Sequence, residues 1–203
     1  MTPLLVLCWA VAQAARPPTD YRVVLATDLA EQAAALNSAR KYQEAVALVE
    51  RFQSAVEPMA PVSYEAGYAL NRLGQPEAAL EHYSTAIEQD PQLASARYDR
   101  GELYLSLQRW SDASADFEVV CQVRPGHWAG HFRMAQLAGV AVDPDAMEQH
   151  LTQAISTGFD LKILPQDPAW LGFARDPELA LVLRKIIVLY GNESLLTELG
   201  LQP

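Results

Sequence analysis

Gly74-Gln75-Pro76-Glu77-Ala78-Ala79-Leu80 joins two helix-forming stretches, and its relations at a distance of 34 residues decide the fold. Ala79 stands 34 residues after Ala45 and 34 before Ala113. Gly67 and Gly101, Tyr83 and Phe117, and Pro91 and Pro125 keep the same interval. Separate matches in one register mark an internal repeat, and a period of roughly 20–50 residues belongs to stacked supersecondary units. Alanine and leucine dominate the chain, which favours helix. No stretch alternates apolar and polar residues as a half-buried strand would. The spacing predicts helices near 20–38, 41–56, 61–73, 76–89, 94–107, 110–122, 127–139 and 144–157. Asp143-Pro144 and Asp176-Pro177 each read as an N-cap followed by proline at the first helical position.

The register defines units 26–59, 60–93, 94–127 and 128–161. The second carries Gly67, Leu70, Ala79, Tyr83, Ala86 and Pro91, and the third Gly101, Tyr104, Ala113, Phe117 and Pro125. The first holds Ala33, Leu36, Tyr42, Ala45 and Val49, with Pro58 one place late. The fourth holds Ala135, Leu151 and Ala154, with bulky Met147 where the others have alanine. Over about two-thirds of the chain this pattern resembles the tetratricopeptide repeat family. The resemblance implies an all-α fold: a right-handed superhelical solenoid of antiparallel helix pairs over 16–161, about four repeats long. Each unit then has helices A and B. Small residues at the eighth and twentieth places let the two cross closely, and larger ones at the eleventh and twenty-fourth fill the space beside the crossing. One unit cannot bury its apolar face alone, so units stack.

Residues 162–203 leave the period and read as a C-terminal helical cap. Pro177 to Gly191 is an apolar helix with Leu179, Leu181, Leu183, Ile186, Ile187 and Leu189, and Glu193 to Leu199 a last short one. Leu164 to Leu171 allows a short helix after a turn. Ala154, Gly158-Phe159, Asp167-Pro168, Trp170-Leu171, Asp176-Pro177 and Leu181 resemble the tetratricopeptide end-of-group module. Any apolar terminal helix serving as a cap is the alternative.

The chain of 203 residues is 50% hydrophobic and 20% charged, a balance that excludes a disordered chain. Its net charge of -10 repels phosphate backbones and anionic lipid headgroups, so nucleic acid and membrane surfaces are poor partners. Met1 to Ala15 has no charged side chain; apolar Leu4 to Val11 precedes small Ala12-Gln13-Ala14-Ala15. Residues 1–15 read as a secretory signal peptide with an A-x-A type cleavage site, too short to span a bilayer. A buried N-terminal helix is the alternative. Export would place the protein in the periplasm or outside the cell, without membrane insertion. Removal of Cys8 would leave Cys121, read as a small buried hydrophobe, with no partner for an internal disulfide.

Chemistry finds few footholds. There is no G-x-S-x-G elbow, phosphate loop, G-x-G-x-x-G or C-x-x-C. No catalytic residue, no cofactor and no metal is therefore assigned, and the chain reads as not an enzyme. His127 and His131, four apart at a helix start, would share one face, but a zinc site needs a third or fourth ligand. His150 in the paired helix is the only remote candidate. The plainer reading packs His131 between helices and leaves His127 in a turn. Glu77, Glu81, Glu88 and Asp90 read as a solvated outer face.

In the family the A helices line a concave groove and the B helices form its back. The resemblance then puts Ala30, Tyr64, Tyr98 and Phe132, at the fifth place of each A helix, in the groove. Tyr68, Glu102 and Gln136 follow at the ninth place, with Asn71, Arg72 and Arg133 near the same surface. Rings, amides and guanidinium groups of this kind suit an extended peptide. The alternative packs these rings against the preceding unit or under the N-terminal helix. Ala30, Ala34, Tyr64, Tyr68, Tyr98 and Glu102 occupy the positions where some relatives carry a lysine and asparagine clamp for a C-terminal carboxylate, so that clamp is missing. The expected role is a non-catalytic protein- or peptide-binding scaffold, acting after export in envelope assembly or tethering. The alternatives are a self-associating structural subunit and an enzyme whose site is scattered through the sequence.

Overall fold

The computed structural model describes residues 19–52 and 59–201. The expected signal segment and Pro58 lie outside them. All regular structure among the described residues is helical: α1 (Thr19–Ser38), α2 (Tyr42–Phe52), α3 (Ala60–Arg72), α4 (Pro76–Gln89), α5 (Ala94–Ser106), α6 (Trp110–Val123), α7 (Trp128–Ala141), α8 (Pro144–Ser156), a 3-10 helix (Leu161–Gln166), α9 (Pro168–Phe173), α10 (Pro177–Tyr190) and α11 (Ser194–Glu198). None of these helices is long and apolar enough to cross a membrane.

The helix starts have local causes. Proline opens α4, α8, α9 and α10, where its missing N–H costs nothing. Asp143, Asp167 and Asp176 cap α8, α9 and α10 by accepting from the N–H groups of Ala146, Ala169, and Glu178 and Leu179. The turns from A to B helix repeat bond for bond. Lys41, Gln75, Arg109 and Asp143 donate their N–H to the carbonyls of Leu36, Leu70, Tyr104 and Ala138 at 2.9, 3.0, 2.8 and 2.9 Å. The residue before each donor is left-handed: Arg40 (φ 59°), Gly74 (73°), Gln108 (57°) and Val142 (53°). This is a Schellman-type stop, and only Gly74 meets it without a Cβ clash.

Val142 is the most strained of the four, since a β-branched residue fits this region worst. Its side chain is half exposed and contributes little packing. Val142→Gly is therefore expected to raise stability by about 0.5–1 kcal/mol, the relieved strain outweighing glycine's extra unfolded-state freedom. A higher urea midpoint is the readout; a lower one would show that the turn carries no strain there.

Inter-helix crossings trade volume between two repeat positions. A Cβ on Gly67 would lie 2.9 Å from the Tyr83 ring, and one on Gly101 2.8 Å from the Phe117 ring. Where the eighth place is alanine, at Ala33 and Ala135, the twenty-fourth is aliphatic, Val49 and Leu151, and all four are buried. A glycine admits a ring; an alanine admits a branched chain.

Residue contacts divide the chain into two compact units, up to Ala96 and from Arg97 onward. In the first, α1 packs on α2 and α3, α2 on α3, and α3 on α4. Ala26, Leu29, Ala33, Val49, Val62 and Ala66 form its core. In the second, α6 packs on α7, α7 on α8 and α9, and α8 on α10. There Phe132, Met147 and Leu151 are buried together with Phe159, Leu164, Trp170, Leu179, Leu183 and Ile186. The aperiodic tail thus closes over the apolar side of α7 and α8.

Candidate functional site

The residues expected on the A-helix surface fall into two groups, one in each unit. In the first unit, Tyr64 and Tyr68 are half-buried on α3. The Tyr64 ring leans on Tyr83 of α4, centroids 6.1 Å apart, and Tyr68 meets Tyr42 of α2 edge-on at 6.4 Å. Asn71 is half-buried, and Arg72 is exposed with its guanidinium 5.8 Å above the Tyr42 ring. A hydrogen bond from Arg72 to the Tyr42 hydroxyl raises the guanidinium pKa, so the charge is permanent.

In the second unit four expected residues join in one network. Arg133 of α7 donates through Nη2 to Glu102 of α5 at 2.6 Å and through Nη1 to Gln136 at 2.8 Å. Tyr98, one turn before Glu102, also hydrogen-bonds Arg133. Burial raises the Glu102 carboxyl above its ordinary value, and the Arg133 charge pulls it back down. Burial likewise raises the Tyr98 hydroxyl, which stays protonated. The Tyr98 ring rests edge-on against Phe117 of α6 at 5.6 Å. Tyr64 and Tyr98 each rest on the aromatic residue of their own B helix and are half-buried.

Phe132 departs from the expectation. It is buried at 5% exposure, stacked on Phe159 at 4.4 Å and on Trp170 at 5.5 Å. It belongs to the core beneath the tail, so the fifth place of the fourth A helix offers no ring to a ligand. Ala30 is buried as well. His127, read as a turn residue, stands just before α7, where its Nδ1 accepts from the Ala129 N–H and caps the helix. Glu77, Glu81, Glu88 and Asp90 are exposed, as a solvated face requires. Cys121 is half-buried, and burial pushes its thiol up to about 11, which keeps it protonated and unreactive at neutral pH.

The Asp116 cluster was not foreseen, whereas His131 and His150 are the histidines that the sequence already places in paired helices. Asp116 of α6 is 2% exposed and lies between Arg97 at 3.1 Å and Arg100 at 2.7 Å, both on α5. Arg97 and Asp116 are the fourth and twenty-third places of the third unit. At the same places of the fourth unit stand His131 and His150, with Nδ1 atoms 3.1 Å apart. Periodicity held the signal, because a pair of facing positions recurs with a 34-residue shift.

Comparison with known proteins bears on the repeats and the fold. The TPR repeat family matches residues 67–125, and a second tetratricopeptide repeat family matches 31–94. A tetratricopeptide repeat and J domain-containing co-chaperone of Fusarium oxysporum f. sp. lycopersici is 38% identical over 36% of this chain and 14% of its own length. Its counterpart in Cryptococcus neoformans var. grubii is 31% identical over 51% and 20%. The chain thus spans at most a fifth of these curated relatives. Among solved structures, MamA from Desulfovibrio magneticus RS-1 superposes with a TM-score of 0.63 at 14% identity, over 86% of this chain and 97% of that one. Pseudomonas aeruginosa pilF superposes at 0.66 and 11%, over 83% and 76%. YrrB, described as having an unusual peptide-binding site, superposes at 0.58 and 22%, over 79% and 74%.

Proposed function

This chain is a tetratricopeptide repeat protein, with repeats matched across residues 31–125, and from that premise we propose that it holds an extended peptide or protein segment without catalysing a reaction on it. The observation that carries the reading is the Tyr98–Glu102–Arg133–Gln136 network on α5 and α7, half-exposed and rich in hydrogen-bonding groups. Glu102 and Arg133 already neutralise each other, so the ligand contributes backbone amides and side chains rather than a lone carboxylate. The Tyr98 hydroxyl and the Gln136 amide meet that backbone, and the Tyr98 ring supplies apolar area at low entropy cost. Tyr64, Tyr68, Asn71 and Arg72 form a second contact surface in the first unit. Two relatives are named as co-chaperones, and YrrB is described as having an unusual peptide-binding site, which supports the class of partner.

The site of action is the periplasm or the cell exterior, in assembly or tethering of an envelope complex. The support is the apolar, uncharged run of Leu4 to Val11 followed by small residues. Self-association is the second reading, favoured by Leu181, Val188, Leu189 and Tyr190, all more than half exposed on α10. Molar mass measured against concentration separates the two.

Tyr98→Ala is expected to weaken partner capture about tenfold or more, as loss of an aromatic anchor does, while the fold stays intact. The measurement is a cross-linking pulldown from an envelope fraction with wild type and variant side by side. A co-purifying protein lost only in the variant supports the reading; equal recovery with equal stability removes Tyr98 from the site.

A further inference from the structure

The fourth and twenty-third places of the last repeat bring together two histidines that the candidate peptide surface does not use. His131 on α7 and His150 on α8 are hydrogen-bonded through Nδ1 atoms 3.1 Å apart, with ring centroids 5.4 Å apart and planes tilted by 31°. Both side chains are half-buried. In the preceding repeat the same places hold Arg97 and Asp116, a guanidinium against a carboxylate. Two imidazoles make a different kind of contact. One Nδ1 must carry a proton and the other a lone pair, and both rings titrate near neutral pH.

We propose that this contact is an acid-released latch, tying α7 to α8 while at most one of the two rings is protonated and letting go when both are. A first added proton leaves the bond in place, because an imidazolium donates to the neutral ring. A second proton turns the acceptor nitrogen into another N–H donor and sets two cations against each other. The pair therefore titrates in two coupled steps. The charged groups of the packed elements do not hold the protonated form. On α6, Asp116 is held by Arg97 and Arg100, and Glu118 is exposed and acts on the Cys121 thiol. On α7, Arg133 pairs with Glu102. On α8, Glu148 pairs with Lys185 of α10, and Asp143, which lines a pocket with His150, caps the helix. None of these groups is among the causes that shift either ring. Burial pushes both rings below the ordinary imidazole value of about 6.5, and the His131 charge pushes His150 further down. The unfolded chain takes up protons first, so the stability this contact supplies is complete above about pH 6.5 and is lost as pH falls toward the lowered values. Because α7 also carries Arg133 and Gln136, its release in acid would loosen the grip on a bound segment. That consequence rests on the peptide-binding reading; the latch itself does not.

The test is amide hydrogen exchange of the full chain without ligand, corrected for the intrinsic rate, at about pH 7.5 and about pH 5. Wild type is compared with His150→Gln. Glutamine keeps an uncharged amide opposite His131, and its carbonyl accepts from the His131 Nδ1–H in either charge state of that ring. Between the two pH values the wild-type α7 and α8 amides should lose protection at least about tenfold more than those of the variant, the equivalent of one pKa unit. His82, also lowered by burial, lies in the first unit and is present in both proteins, so its contribution cancels. Imidazole nitrogen NMR of the wild type gives a readout independent of variant folding: His131 and His150 should titrate in two steps, each visible at both rings. Equal loss of protection in the two proteins overturns the proposal. So does wild-type protection that acid leaves unchanged, or two rings that titrate independently of each other.

Discussion

Asp116→Ala is expected to destabilise the chain by about 3 kcal/mol. Asp116 is 2% exposed and receives Arg100 through Nε to Oδ2 at 2.7 Å and through Nη2 to Oδ1 at 2.8 Å, with Arg97 on Oδ1 at 3.1 Å. Removing the carboxylate leaves two guanidinium groups, each less than a fifth exposed, without their buried counter-charge. The loss is then dominated by the desolvation of two guanidinium groups whose nearest buried counter-charge is gone, and it exceeds the net worth of the ion pairs. Asp112→Ala is the control. Asp112 pairs with Arg109 at 2.7 Å, but both side chains are about half exposed, so solvent screens the pair and its loss should cost less than about 1 kcal/mol. Urea unfolding of the two variants decides the matter. Equal midpoints would show that the Asp116 cluster carries no more than a surface pair does.

Trp170→Ala is expected to cost about 3–5 kcal/mol, the range for emptying a fully buried aromatic site. Trp170 is 0% exposed on α9, stacked on Phe132 at 5.5 Å and edge-on to Phe173 at 5.4 Å. It sits where the tail meets α7, so its loss opens the seam that buries Phe132 and Phe159. Trp110→Ala should cost far less, because Trp110 is 39% exposed. Trp170→Phe is the informative intermediate. The indole Nε1–H has no hydrogen-bond partner among the described residues, so phenylalanine keeps the stacking and removes a buried donor. Thermal unfolding should rank the three as Trp170→Ala, then Trp170→Phe, then Trp110→Ala in loss of stability. A Trp170→Ala melting point near that of the wild type would mean that the tail does not seal α7.

Much of the helical order was readable in advance because its causes are local. The span 76–89 was predicted at both ends, since Pro76 opens it and Pro91 follows it. Asp143 and Asp176 act as caps where Asp-Pro predicted them. The left-handed turn residues were different. Gly74 announces its position, but Arg40, Gln108 and Val142 adopt the same conformation with no glycine to signal it. Their backbone is set by the four repeated turn bonds, which residue type alone does not encode.

The candidate site divides along the same line. Tyr98, Glu102, Arg133 and Gln136 were expected on one surface from their places in the repeat, and they lie in one network. That Arg133 is already paired with Glu102, 31 residues away, was not expected. Phe132 shares its repeat place with Tyr64 and Tyr98, yet it is core, because Phe159 and Trp170 come from the aperiodic tail to cover it.

The sequence by itself determined the interval, the helices and which faces are apolar. These depend on propensity, capping and periodicity, all short in range along the chain. Only the tertiary structure decided which polar side chains meet. Asp116 between two arginines and His131 against His150 are contacts across 16–19 residues. Their formation depends on how two helices cross, and the depth of the Gly101–Phe117 approach sets that crossing in the third repeat.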